Sequence, residues 1–338
     1  MQPSAGFVIA GAPGPLSSGD NHLPHARYKA FMDRRPPHRQ SPLGLLLGLV
    51  AVVMFGATLP MTRLALHDLS PWFISFGRAA LAGFCALAVV LVLRRPWPFG
   101  VRENRRDLLL ATLALVFGFP ILIGIATQTV PAAHGGIVLG LLPLCTAIAA
   151  ALLAGERPGP GLFAASAAGA GLVAAFALRN GAAGGFGYGD TLLFLAVVIC
   201  AAGYAVSGRL ARRMAGWEVI AFMLILALPV TVPAALVTFP WGRAVTGESW
   251  AALVYLGLFS QFIGFFFWNA GLALGGIARV GQVQLLQTFV TVGLAWPING
   301  ERPDAETLLF ALAVAVVVAL AQRAGRRRPP APVADRVS

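Results

Sequence analysis

The chain has 338 residues, of which 58% are hydrophobic and 11% are charged, whereas a soluble globular protein carries about 25% charged residues. This deficit of charge excludes an ordinary soluble enzyme with one large core and indicates a chain whose solvent is lipid. The net charge is +12, and because the arginines lie in short stretches between apolar runs, the charge indicates membrane topology rather than nucleic-acid binding.

Ten apolar runs are long enough to cross a bilayer, which requires about 20 residues. Since lipid offers the backbone no hydrogen bonds, we expect each run to be a helix. The predicted spans are residues 43–65, 71–93, 108–128, 132–154, 160–178, 190–208, 218–239, 249–270, 278–298 and 304–322. We expect residues 1–41 to form a disordered cytoplasmic tail, or in part to precede the true start, and residues 323–338 to form a basic cytoplasmic tail.

The positions of the basic residues predict the orientation of these spans. With the N-terminus inside, 20 of the 25 lysines and arginines lie in inner segments and three lie in outer loops. The remaining two, Arg63 and Arg78, lie within spans. By the positive-inside rule we expect a multi-pass protein of a bacterial-type inner membrane with both termini in the cytoplasm.

The chain also repeats itself. The motif Gly-Glu-Arg-Pro at residues 155–158 recurs at residues 300–303, which is 145 residues later, and two shorter matches occur at nearly the same offset. Each copy contains five predicted helices, an odd number, so the second copy must enter the membrane upside down. The sequence therefore predicts an all-α integral membrane protein built from two inverted five-helix repeats, residues 42–180 and 181–322, with a substrate site near the midplane.

Four segments carry a family resemblance: residues 55–65, 70–78, 141–157 and 287–302, with the Gly-Glu-Arg ending of both halves as the most specific element. Through them the chain resembles the drug/metabolite transporter superfamily, specifically its EamA-type family, over about residues 43–322. The resemblance implies a basket-like bundle of ten helices that exports amino acids or other small metabolites. One departure is that the ninth helix, which in the family usually has a proline matching Pro143, carries Thr288 there, beside the expected cavity.

The sequence shows no catalytic constellation. His134 is the only histidine predicted inside the bilayer, and it has no acidic or cysteine partner at metal-ligand spacing, so we expect a structural histidine. A GxxxxGK[ST] phosphate loop is missing, which disfavours ATP hydrolysis. No carboxylate lies deep within a span, which disfavours proton antiport centred on a buried acid. We therefore expect no enzyme activity, no cofactor and no metal.

One face of the ninth span is polar, because its glutamines and threonines follow the spacing i, i+3, i+4 and i+7. We predict that this stripe lines the substrate cavity together with side chains of the eighth, sixth and first spans. The predicted substrate-binding residues are Gln284, Gln287, Thr288, Thr291, Gln261, Trp268, Tyr204 and Thr58. The alternative is that these side chains only join helices by hydrogen bonds.

The two arginines inside spans are candidates for gating or structural charges. A charge at the bilayer centre costs roughly 2.5–3.5 kcal/mol on insertion scales, so such residues serve function or structure. Arg63 lies near the outer end of its span and can reach the interface, whereas Arg78 lies about 10 Å deep at about 1.5 Å per residue. Both positions match arginines that are common in the family the chain resembles, which implies a shared structural role such as binding loop carbonyls or Asp68. For Arg78 the alternative is gating or binding of a carboxylate.

We therefore expect a secondary transporter that exports a small amino acid-like or other polar or amphipathic metabolite. One alternative is a sugar-phosphate or organic-anion exchanger or importer of the same superfamily, since arginine suits phosphate recognition. The substrate, coupling ion and oligomeric state stay open, and a monomer is compatible with the sequence. An intramembrane enzyme or a scaffold is a further alternative, but the first needs a catalytic cluster and the second needs no polar stripe. The expected partners are a small-molecule substrate and the lipid bilayer, not nucleic acid.

Overall fold

The computed structural model describes residues 41–180 and 187–302 and, between 304 and 320, all residues except 307, 311, 314, 315, 318 and 319. Both predicted tails lie outside these residues, apart from Ser41. Every regular element within the described part is a helix, which confirms the all-α prediction.

The helices follow the predicted spans. They are α1 (Pro42–Ala65), α2 (Pro71–Val92), α3 (Arg102–Ala126), α4 (Ala132–Val138, Leu139–Leu141 and Leu142–Ala154), α5 (Pro160–Asn180), α6 (Tyr188–Leu210), α7 (Gly216–Thr238), α8 (Gly247–Gly275), α9 (Ile277–Gly281, Gln282–Leu286 and Gln287–Asn299) and α10, described in part between residues 305 and 320. Seven helices of the described part, all but α5, α9 and α10, are long and apolar enough to cross a membrane. These helices indicate a multi-pass membrane protein.

Local sequence explains where the helices begin and end. At the start of α2, the Ser70 hydroxyl accepts a hydrogen bond from the Phe73 N–H at 3.1 Å, and Pro71 occupies the first turn, where its missing N–H costs nothing. Helices α4 and α9 end at Gly155 and Gly300, whose φ angles of 66° and 74° lie in the left-handed region that glycine adopts without steric cost. The glycines of the two Gly-Glu-Arg motifs thus stop corresponding helices.

Corresponding helices of the two halves are also interrupted at corresponding places. Helices α3 and α8 each contain a π-helical segment, Leu113–Gly118 and Tyr255–Ile263. Helices α4 and α9 each contain a 3₁₀ segment, Leu139–Leu141 and Gln282–Leu286. The 3₁₀ segment of α9 forms although Thr288 replaces the proline found in α4, so the departure from the family pattern does not remove the interruption.

Glycines bring α1 of the first half against α8 of the second. A Cβ atom added to Gly44 would lie 2.5 Å from the backbone nitrogen of Gly275, and one added to Gly271 would lie 2.9 Å from the carbonyl oxygen of Gly44. Gly44 and Gly48 form a GxxxG motif, as do Gly271 and Gly275. Such motifs permit close backbone contact between membrane helices.

Candidate central cavity

A cleft lies between the two halves of the bundle. Side chains from α1, α2, α3, α4, α6, α8 and α9 line it. Its polar lining residues are Thr58, Arg78, Tyr204, Ser260, Gln261 and Gln287. The rest of the lining is apolar and includes Phe55 and Phe265, whose ring centroids lie 5.1 Å apart. Both halves therefore contribute to one amphipathic site.

Four of the predicted substrate-binding residues line this cavity, namely Thr58, Tyr204, Gln261 and Gln287. Both amide atoms of Gln261 and the Oε1 atom of Gln287 are buried and have no hydrogen-bond partner among the described residues. A buried polar atom without a partner costs about 1–3 kcal/mol, so proteins rarely keep one without a role. These amides have the hydrogen-bonding capacity to hold a polar solute.

Thr288 and Thr291 instead bond to neighbouring helices. The Thr291 hydroxyl donates to the carbonyl of Gly56 at 2.8 Å, and the Thr288 hydroxyl donates to the carbonyl of Gly136 at 3.1 Å. Pro60 has no N–H to pair with the carbonyl of Gly56, four residues earlier, so Thr291 replaces the missing helical bond. For these two threonines the geometry favours the alternative in which the side chains join helices.

Trp268 and Gln284 lie outside the lining. Trp268 is fully buried, and its ring packs against those of Tyr204 and Phe55, with centroid distances of 4.9 and 5.9 Å. Both amide atoms of Gln284 are buried, and the side chain lies beside the hydroxyl of Tyr204. Trp268 therefore supports the aromatic wall that Tyr204 and Phe55 form.

Arg78 is the charged residue of the cavity lining, and it is 5% exposed. Its Nη2 atom donates to the Ser260 hydroxyl at 3.3 Å, and that hydroxyl lies 2.8 Å from the hydroxyl of Thr58. The Nε atom has no partner among the described residues. The guanidinium is thus oriented by neutral hydroxyl groups.

The expected contact between Arg78 and Asp68 is not formed, because the carboxylate of Asp68 binds the first turn of α8. Its carboxylate accepts hydrogen bonds from the Thr246 hydroxyl at 2.6 Å, from the Thr246 N–H at 3.0 Å and from the Ser249 hydroxyl at 2.8 Å. These bonds, with the Thr246 hydroxyl first, lower the pKa of Asp68 below its ordinary value. Asp68 therefore joins the loop after α1 to the first turn of α8.

Ser260 is the polar lining residue that the sequence reasoning missed. The i, i+3, i+4 and i+7 spacing of an α-helix selected Gln261 and left out its neighbour. In the structure both residues lie in the π-helical segment of α8, and both line the cavity. Two adjacent polar residues inside an otherwise apolar span were the available signal.

Equivalent positions of the two halves line the cavity with different chemistry. Four pairs of lining residues lie 145 positions apart, and in three of them the first half has leucine where the second has a polar side chain. These three are Leu59 and Tyr204, Leu115 and Ser260, and Leu142 and Gln287, whereas in the fourth, Pro120 and Phe265, both residues are apolar. At the three positions the second half is therefore the more polar, while the first half adds Thr58 and Arg78 elsewhere in the lining.

A carboxylate directly after α4 caps the start of α9. Glu156 accepts hydrogen bonds from the N–H groups of Ile277 and Ala278, each at 3.0 Å, and forms an ion pair with Arg212. The first N–H groups of a helix lack partners within it and carry partial positive charge, so a carboxylate stabilises them. We call Glu156, Arg212, Ile277 and Ala278 the Glu156 cluster.

A matching carboxylate directly after α9 caps the start of α4. Glu301 accepts a hydrogen bond from the Ala132 N–H at 3.2 Å and pairs with Arg63 at 3.3 Å. Arg63 also donates to the carbonyl of Val130 at 3.1 Å. We call Glu301, Arg63 and Ala132 the Glu301 cluster. Each end of α4 thus lies against the opposite end of α9, and the two helices run antiparallel.

His134 also finds a partner across helices. Its Nε2 atom lies 2.8 Å from a carboxylate oxygen of Asp190 in the first turn of α6. Within the described residues, no group of three histidine, cysteine, aspartate or glutamate side chains is placed to hold a metal ion. The pair joins α4 to α6, as expected of a structural histidine.

Comparison with known proteins identifies a transporter family that matches both halves of the chain. The sequence profile described as the EamA-like transporter family matches residues 42–178 and again residues 187–322. The "Uncharacterized transporter YdeK" of Bacillus subtilis is 41% identical over 281 residues, which are 83% of this chain and 97% of that protein.

Two further relatives have names that state what they transport. The "Aromatic amino acid exporter YddG" of Ancylobacter novellus is 27% identical over 81% of this chain and 97% of its own. The "Probable terminal-alkyne amino-acid exporter" of Streptantibioticus cattleyicolor is 28% identical over 82% of this chain and 94% of its own. One solved crystal structure superposes with a TM-score of 0.62 at 24% identity, covering 84% of this chain and 98% of that one, which shows a shared fold.

Proposed function

The chain belongs to the EamA-like transporter family, and on that premise we propose that it exports a small amino acid-like metabolite across the inner membrane of a bacterial cell. The observation that carries this proposal is the cavity between the halves, in which buried amides without protein partners face apolar and aromatic walls. The two relatives named as amino-acid exporters support the substrate class.

The lining suits a zwitterion with an apolar side chain. The amides of Gln261 and Gln287 offer both donors and acceptors to an ammonium or carboxylate group. Phe55 and Phe265 offer apolar surface to the rest of the solute. Since an exporter must release its substrate on every cycle, neutral polar groups serve better than a fixed set of opposite charges.

The proposed architecture has ten transmembrane helices in two inverted five-helix repeats, with both termini in the cytoplasm. Three observations support it: the antiparallel course of α4 and α9, the matching interruptions of the two halves, and the excess of arginine on one side. In this orientation the Glu156 cluster faces the cytoplasm and the Glu301 cluster faces outward.

The two clusters also suit alternating access. Each joins the end of the fourth helix of one half to a helix start in the other half, so opening one side of the cavity requires one cluster to separate while the other holds. Arg63 then acts as a gating charge through Glu301. Both ion pairs are partly exposed, so water can reach the charged groups when a cluster separates, which a gate requires.

Transport by the purified protein in liposomes tests the proposal. We expect trans-stimulated uptake of labelled phenylalanine, which Gln287→Ala reduces per folded molecule. The matched control is Thr291→Val on the same helix, which should lower the melting temperature and leave turnover per folded molecule unchanged. Equal turnover of Gln287→Ala and wild type would contradict the proposed site.

A sugar-phosphate or organic-anion exchanger is the second candidate, because the cavity contains a buried arginine. The same liposomes loaded with a hexose phosphate distinguish it. Exchange of the hexose phosphate without exchange of phenylalanine would favour this candidate over amino-acid export.

A further inference from the structure

We infer that Arg78 binds a carboxylate of the transported solute, so that the substrate class is a monocarboxylate with an apolar or aromatic body. This inference rests on the proposed transport function. It replaces the expectation of a purely structural arginine with a direct contact to the substrate.

The first argument is charge balance. Arginine stays charged at neutral pH, and a charge taken out of water is stable only when it is paired and hydrogen-bonded. Arg78 lies about 10 Å inside α2, at about 1.5 Å per residue, and is 5% exposed. No carboxylate among the described residues lies within ion-pair distance of it, and the one hydrogen bond described for it goes to Ser260. An anionic solute in the adjoining cavity supplies the missing countercharge.

The second argument is the contrast with arginines that serve structure. Arg63, Arg209 and Arg212 lie at helix ends, and each pairs with a carboxylate of another helix: Glu301, Asp107 and Glu156. Arg78 is deeper than any of these and has a cavity in place of such a partner. The deeper an arginine lies, the more its charge depends on a carboxylate partner. Because the described residues provide no such partner for Arg78, we expect a ligand to provide it.

The third argument is the orientation of the guanidinium. The hydroxyl of Ser260 accepts from Nη2 and is itself bonded to the hydroxyl of Thr58, which holds the group against the cavity wall. Arginine has five N–H donors in a planar fork that fits a carboxylate with two parallel bonds. One guanidinium balances one negative charge, so a monocarboxylate fits this site better than a doubly charged phosphate.

The test compares three probes that share one aromatic body: phenylalanine, its amide, and 3-phenylpropionate, which keeps the carboxylate and lacks the amine. We measure trans-stimulated uptake into liposomes and the shift in melting temperature on binding, for wild type, Arg78→Gln and Arg78→Lys. The matched control is Arg63→Gln, an arginine within a helix but outside the cavity lining.

We expect wild type to take up both carboxylates at least tenfold faster than the amide. Arg78→Gln should lower uptake of both carboxylates by at least tenfold and leave the amide unchanged, and Arg78→Lys should retain part of the preference. Arg63→Gln should keep the wild-type ratio of acid to amide even if its rate falls. Without substrate, Arg78→Gln should melt at the wild-type temperature or above, since it removes a buried charge.

Equal uptake of acid and amide by wild type would overturn the inference, as would a loss of all three probes by the same factor in Arg78→Gln. If wild type transports none of the probes but phenylalanine still raises its melting temperature, and not that of Arg78→Gln, then the transport proposal fails and the carboxylate site stands. If neither transport nor a shift occurs in wild type, both fail.

Discussion

Replacing Glu156 or Glu301 by glutamine should favour opposite open states of the cavity. Glu156→Gln keeps the size of the side chain and one carbonyl oxygen, so it keeps at most one of the two backbone bonds at 3.0 Å and loses the ion pair with Arg212. A hydrogen bond to a charged group contributes about 1.5–3 kcal/mol. Because the Glu156 and Arg212 side chains are 17% and 31% exposed, solvent screens this pair only in part.

A loss of about 1.5–3 kcal/mol corresponds to a roughly 10- to 100-fold change in an equilibrium constant. We expect Glu156→Gln to shift the transporter by this factor toward the state that is open at the Glu156 side. Glu301→Gln should shift it toward the state that is open at the opposite side, because Glu301 holds the start of α4 in the equivalent way. The two variants are therefore matched controls for each other.

The assay is the rate at which thiol reagents label single cysteines placed in the cavity, applied from each side of sealed vesicles. In Glu156→Gln the labelling rate should rise from the cytoplasmic side and fall from the outside, and in Glu301→Gln the reverse should hold. If both variants lower the melting temperature while labelling rates stay as in wild type, the clusters stabilise the fold without gating it, and the reasoning is refuted.

Further expectations concern packing, capping and topology. Gly44→Ala places a Cβ within 2.5 Å of the α8 backbone and should lower the melting temperature in detergent, and an unchanged value would contradict the close contact. Thr291→Val removes the bond to the Gly56 carbonyl, which should cost about 1–3 kcal/mol of unfolding free energy in denaturant titration. Hydrogen bonds depress the pKa of Asp68, so its carboxylate stabilises the fold at neutral pH, and this contribution disappears as the pH falls below about 4. Asp68→Asn should therefore melt at a lower temperature than wild type at pH 7 and at the same temperature in strong acid. A cysteine at Arg102 should react with impermeant reagents only from the cytoplasmic side, and labelling from outside intact cells would invert the proposed topology.

The helices could be predicted from the sequence because residues within or beside each helix determine where it begins and ends. Apolar length sets the spans, Ser70 and Pro71 mark the start of α2, and Gly155 and Gly300 mark helix ends through a backbone conformation that glycine favours. Each of these signals lies within a few residues of the feature it predicts. The all-α fold and the repeated family domain followed from them.

Which residues line the candidate site depends on contacts between helices, and the spacing of residues along one helix does not determine these contacts. Gln287, Thr288 and Thr291 share one helical face, yet Gln287 lines the cavity while both threonines bond to carbonyls of other helices. The acceptor carbonyls belong to Gly56, which Pro60 leaves without its helical partner, and to Gly136, and both lie more than 100 residues away in the chain. Ser260 was not predicted because it lies in a π-helical segment, whose period differs from that of the α-helix on which the prediction was based.

The unequal walls of the cavity have a consequence for the path of the solute. Two identical halves in opposite orientations would present the same chemistry from both sides, and a solute could lie in the cavity either way round. Leu142 and Leu115 stand at the positions equivalent to Gln287 and Ser260, which removes that equivalence, so a solute with one apolar and one polar end has a preferred orientation in the cavity. Under the proposed alternating access, a solute held in one orientation is released on the far side without turning over.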